Sequence, residues 1–278
     1  MSAPPAAGVL RIQPSHGWTS LGLRELWAYR ELLYFLTWRD VKVRYKQTAL
    51  GAAWAVIQPF FTMVVFSLFF GRLAKIGSDG IPYPIFSYAA LVPWTFFANG
   101  LGGSTNSLVG SANLITKVYF PRLLIPVGAV VSTLADFGIS CVLLVLLMAW
   151  YRIAPGPGVV LLPLFVVQAI VLAFAIGLWA SALNVRYRDV QYAMPFAMQV
   201  LLFISPVAYS AALVPAGKMR LLYALNPLVG PIQGFRWALL GASAPWPFLW
   251  SSVIVTLVLL VGGLFFFKRM EDSFADVV

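Results

Sequence analysis

Two residue types that enzymes and metal sites depend on are nearly missing from this chain. It has a single histidine, His16, and a single cysteine, Cys141. One of each builds neither a Ser-His-Asp nor a Cys-His arrangement. A lone cysteine also excludes an internal disulfide and a cysteine-rich metal cluster. Charge is scarce too, at 10% of 278 residues, against about 25% in soluble domains. Acids are the scarcer sign, nine against 19 basic residues. A membrane-embedded glycan-processing enzyme or a proton-driven carrier wants several acids or histidines within its apolar part. Only Asp136 lies there. No G-x-x-x-x-G-K-[ST] run occurs, so the chain has no phosphate cradle of that kind. No catalytic residues, metal ligands or cofactor are therefore expected on this chain.

What fills the chain instead is apolar, 61% by composition. So few charges cannot clothe a soluble surface of this size, which places the chain among integral membrane proteins. The net charge of +10 sits between apolar spans. That fits cytoplasmic topogenic charge and contact with anionic lipid, not nucleic acid. Residues 1–20 read as an Ala/Pro/Gly-rich flexible tail without the apolar core of a signal peptide.

The densest charge meets the first long apolar run at Trp38–Phe61, WRDVKVRYKQTALGAAWAVIQPFF. Upstream, residues 21–46 read as an amphipathic helix lying in the membrane interface. Leu23, Leu26, Trp27, Leu33, Tyr34, Thr37, Trp38 and Val41 share one side at 100° per residue, interrupted by Arg30. Downstream, residues 47–278 read as one domain of six spans, at about 51–70, 85–101, 123–150, 159–183, 193–214 and 248–267. With the N-terminus inside, thirteen Lys/Arg fall on cytoplasmic segments and six outside, which obeys the positive-inside rule. Both termini are then cytoplasmic. Residues 215–247 hold apolar runs broken by Pro215, Pro227, Pro231, Pro245 and Pro247, expected to form a re-entrant or interfacial helical hairpin on the outer side.

Asp136 is either a functional intramembrane acid or the partner of a neighbouring helix. Phe66, Phe70, Tyr88, Trp94 and Phe97 crowd the outer ends of the first two spans. They suit an interfacial belt, a helical core, or a lining on which the C–H faces of sugars pack.

Several motifs in order carry a family resemblance over about residues 20–278. They are Arg39–Trp54 (RDVKVRYKQTALGAAW) ending in Gln58-Pro59, Lys117–Arg122 (KVYFPR), and Asn184–Asp189 (NVRYRD). Ser205-Pro206-x-x-Tyr209 follows, then Asn226-Pro227 with Phe235-Arg236-Trp237. Together they resemble the ABC-2-type polysaccharide and polyol-phosphate export permeases, the membrane subunits that export O-antigen, capsule or teichoic acid chains.

The resemblance implies an all-α integral membrane fold of six transmembrane helices, an N-terminal gate helix and an outer re-entrant pair. It implies a homodimer in the bacterial cytoplasmic (inner) membrane, joined to two separate ATPase subunits that bind ATP and Mg. The substrate would be a lipid-linked glycan moving between the protomers. Gate and hinge fall on Trp27, Tyr34, Trp38, Arg39, Arg44, Tyr45 and Lys46. ATPase coupling falls on Asn113, Lys117, Tyr119, Phe120, Pro121 and Arg122, and on Arg186, Arg188 and Asp189. A glycan channel would be lined by Phe66, Phe70, Tyr88, Trp94, Phe97 and Tyr209. Thr116 stands before Lys117 where many relatives have a second basic residue. An ABC-2 exporter of a drug or small lipid shares the layout without this motif set.

Overall fold

Small residues in the middle of apolar runs decide how the helices come together. The computed structural model describes residues 23–46, 51–271 and 274, with the side chains of 23–25 left out. The tail at 1–20 and the junction at 47–50 lie outside the described residues. Every regular element among those described is helical. In chain order these are α1 (Leu23–Ala28), α2 (Arg30–Lys46), α3 (Trp54–Phe66) and α4 (Tyr83–Gly110). Then come α5 (Ala112–Lys117), α6 (Leu124–Ser132), α7 (Leu134–Trp150) and α8 (Leu162–Arg186). The last four are α9 (Val190–Ile204), α10 (Lys218–Ala224), α11 (Val229–Leu240) and α12 (Trp246–Glu271).

α4 is the central post. Its residues from Ile85 to Val92 are all buried, and α8, α6, α7, α11 and α3 pack around it. Close approach to α8 requires Gly177, where a Cβ would lie 2.4 Å from Ser104 Oγ. Gly234 of α11 likewise abuts the Phe165 ring, 2.3 Å from such a Cβ. Small residues let helix backbones approach where lipid supplies no hydrophobic drive.

Among the described residues, four segments are long and apolar enough to cross a membrane: Gly51–Leu73, Leu124–Trp150, Pro157–Arg186 and Trp246–Glu271. They match the expected first, third, fourth and sixth spans. Two expectations are corrected. The helix at the expected second span does not stop near residue 101; α4 runs on to Gly110. Gly100 to Ser107 look like an ending in sequence, but Gly100 faces Thr133 and Ala173, and Ser104 and Thr105 are fully buried against neighbouring helices. The helix at the expected fifth span does not reach 214; α9 ends at Ile204 after 15 residues, about 22 Å. Pro206 pushes Ser205 to φ −85°, ψ 154°, since the residue before proline is driven out of the helical region.

The expected single amphipathic stripe over 21–46 also divides. Tyr29 interrupts the helix, and Leu33, Leu36 and Thr37 turn toward Gly128 of α6. Trp27, Tyr34 and Trp38 stay exposed on another side, with Lys42 over the Trp38 ring and Arg30 over that of Trp27. Cations interleaved with the aromatics blur the two faces.

Candidate functional site

The register between α2 and α6 builds the first cluster. Leu36 packs on Gly128, and eight residues further along each strand of sequence stand Arg44 and Asp136. Asp136 stands in the first turn of α7, directly after α6, and the chain's near-continuous course there brings it level with Arg44 at the end of α2. The Arg44 guanidinium pairs with Asp136 Oδ2, and the Tyr45 hydroxyl donates to Asp136 Oδ1. Arg44 Nη2 also lies 3.5 Å from Ser132 Oγ. The Asp136 and Arg44 side chains are 14% and 33% exposed, so the pair is substantially withdrawn from water. Burial pushes the Tyr45 phenol up to about 12, reinforced by its bond to Asp136. It therefore remains a donor at neutral pH. Asp136 is thus the partner of the C-terminal end of α2, where Arg44 and Tyr45 of the expected hinge meet on it.

Beside this cluster opens a cleft of about 480 Å³ between α3 and α4. Trp54 and Gln58 form one wall, Asn99 with the bare backbone at Gly102 and Gly103 the other, and Arg44, Tyr45 and Asp136 the end.

The expected coupling residues gather at one end of the bundle. α5 presents Asn113 and Lys117 to solvent, and Tyr119 is 80% exposed. Phe120 does the opposite, buried in a small core with Ile115, Leu124, Val185 and Phe267. Pro121 is half-buried. Arg122 is turned toward the end of α12, where its guanidinium donates to the Glu271 carbonyl and its backbone N–H lies 3.3 Å from Glu271 Oε1. Lys268 pairs with the same carboxylate at 2.6 Å. Arg186, the last residue of α8, and Arg188 and Asp189 on the three-residue corner to α9 are exposed. That corner is tied down by Asn184, whose amide donates to the Thr105 carbonyl at 3.0 Å.

The aromatics proposed for a channel separate into two groups. Tyr88 and Phe97 are wholly buried, and Phe66 and Trp94 nearly so. As placed, they fill the chain's own helical core. Phe70 and Tyr209 keep exposed surface, and Tyr209 lines a cleft of about 770 Å³ with Lys75, Tyr223 and Asn226. Of the remaining hinge positions, Arg39 pairs with Asp40 at 2.9 Å, and Lys46 is exposed.

The sequence places Arg236 among the outside charges and within the Phe235-Arg236-Trp237 motif, yet its side chain is fully buried. Its Nε donates to the Phe86 carbonyl at 3.0 Å, and Nη1 donates to those of Pro206 and Tyr209 at 2.5 and 3.0 Å. Nη2 donates to Val207 at 2.5 Å, and the guanidinium lies 3.6 Å from the Phe86 ring centroid. The break after α9 frees carbonyls that have no helical partner, and one fork of donors collects them. Asn226 adds a bond to Ser205 Oγ at 3.1 Å. The signal was available: a lone arginine in a proline-flanked apolar run that follows a Ser-Pro break.

The sequence profile of the ABC-2 type transporter family matches residues 31–240. The chain is 30% identical over 260 residues to the O-antigen export system permease protein RfbA of Myxococcus xanthus, covering 92% of this chain and 98% of that protein. An O-antigen export system permease protein RfbA of Klebsiella pneumoniae is 26% identical over 249 residues, covering 89% and 95%. The polysialic acid transport protein KpsM of Escherichia coli is 24% identical over 238 residues, covering 84% and 92%.

Proposed function

The chain belongs to the ABC-2 type transporter family, and from that premise we propose that it is the permease subunit of an ATP-driven exporter for a lipid-linked surface polysaccharide of O-antigen type. The observation that carries this is the end-to-end similarity, 92% of this chain against 98% of a permease named for O-antigen export. Two subunits would stand in the bacterial inner membrane with both termini cytoplasmic, joined to two copies of a separate ATPase. Six spans would include α4 and the shorter α9, and α10 with α11 would form the outer re-entrant pair.

The chain's own geometry suits that division of labour. Exposed Asn113, Lys117 and Tyr119 on one loop, and Arg186, Arg188 and Asp189 on another, offer charge and an aromatic to a soluble partner. Such contacts give steering and register more than raw affinity. Force on α5 passes to α6 through the buried Phe120 and Ile115. From α6 it reaches α2 at Gly128, and from the start of α7 it reaches α2 at the Asp136 cluster. Closure of the ATPase would in this way move the gate helix relative to the bundle.

Deleting the gene is expected to remove the polysaccharide from the cell surface while lipid-linked glycan accumulates in the cytoplasm. Normal surface polysaccharide with no accumulated glycan would sink the proposal.

A further inference from the structure

Resting on the export function proposed above, we infer that the cleft between α3 and α4 is a saccharide-binding site, in which Trp54 stacks on a sugar ring and Gln58 and Asn99 bind its hydroxyls. Three observations point there. Trp54 is 54% exposed and forms a wall of the cleft. An indole face offers an apolar surface with a polar edge, which matches a sugar ring whose C–H groups face one way and whose hydroxyls fan outward. Secondly, the side-chain amides of Gln58 and Asn99 make no intramolecular hydrogen bond among the described residues, and both line the cleft. Each amide carries a donor and an acceptor, the pairing that a vicinal diol can satisfy. Thirdly, the volume of about 480 Å³ lies within the usual range for small-molecule sites, about 300–1,000 Å³.

The charge in the cleft decides the ligand class. Arg44 and Asp136 are the charged side chains lining it, and they neutralise one another. Tyr45 further engages the carboxylate. A phosphate or pyrophosphate would find its guanidinium already committed to an acid, with that acid's negative charge alongside. Neutral hydroxyls carry no such penalty. Placed at the hinge end of the first span, the site would hold a segment of the glycan rather than its lipid anchor.

The test uses the full transporter with its ATPase in nanodiscs. The probes are oligosaccharides released by mild acid from the host's own surface polysaccharide, followed by saturation-transfer NMR. Binding by the wild type is expected. Trp54→Ala and the Gln58→Ala/Asn99→Ala pair are each expected to weaken it by about tenfold, the equivalent of about one lost stacking or hydrogen-bonding contact. Trp150→Ala, an exposed tryptophan at the far end of α7, is the control and should bind as the wild type does. Size-exclusion chromatography establishes that each variant still assembles with the ATPase. Equal binding by wild type and both assembled cleft variants would overturn the site, as would displacement of the sugar by inorganic pyrophosphate. No binding by wild type would also overturn it, yet leaves the export function standing if the deletion strain still accumulates glycan.

Discussion

Replacing Arg236 with methionine is expected to destabilise the protein by about 3–5 kcal/mol. The guanidinium is fully buried and donates to the carbonyls of Phe86, Pro206, Val207 and Tyr209. The Pro206, Val207 and Tyr209 carbonyls lie outside any helix, and each left without a donor costs about 1–3 kcal/mol. Removing a buried charge regains part of its desolvation, which keeps the net below the simple sum. Methionine fills much of the volume but supplies no donor. Arg236→Lys should fall between, because an ammonium has three donors and no planar fork to reach both sides of the break. Thermal unfolding followed by fluorescence size exclusion reads the effect, an expected drop on the order of 10 °C for Met. An unchanged melting temperature would mean that the segment after α9 is held by something other than this clamp.

Removing Asp136 is expected to be the next most damaging change, at about 2–4 kcal/mol for Asp136→Ala. The loss leaves the Arg44 guanidinium without its carboxylate in a site where it is only 33% exposed. It also strips the Tyr45 hydroxyl of its acceptor. Breaking a withdrawn ion pair from one side is worse than replacing both sides by apolar groups. Arg44→Met combined with Asp136→Leu should therefore be markedly more stable than the two single changes sum to predict. The double-mutant cycle isolates the coupling. If the single effects simply add, Arg44 and Asp136 do not act as a pair, and the link from hinge to third span is lost with them.

These two residues also mark what could and could not be read from the chain. Hydropathy placed the helices well, since long apolar runs admit few other structures in lipid. It misjudged the end of α4, where Gly100 and Ser104 look like a terminus but are helix-packing surfaces. It also overran α9, although Ser205-Pro206 announces a break by the steric rule for residues before proline. Asp136 and Arg44 were each singled out for sound reasons, charge in an apolar span and charge at a hinge. Their meeting was not legible, because 92 residues separate them and only the packing of α2 on α6 sets the register. Arg236 was the reverse case. Its charge suggested solvent, and only the freed carbonyls around it explain why it lies inside.

The cleft was hidden for the same reason as the ion pair. Trp54 and Gln58 belong to a run legible as a motif, but Asn99 comes from a helix expected to end two residues later. Sequence gives no hint that the three line one cleft.

The most direct measurement places this chain and its ATPase in inverted inner-membrane vesicles loaded with lipid-linked glycan on the outer, formerly cytoplasmic, face. Glycan protected from an added glycan-cleaving enzyme is then counted with and without ATP. Protection that rises with ATP, and only in vesicles containing this chain, is the expected result. Protection that is the same without ATP, or without the chain, would contradict a role in polysaccharide export.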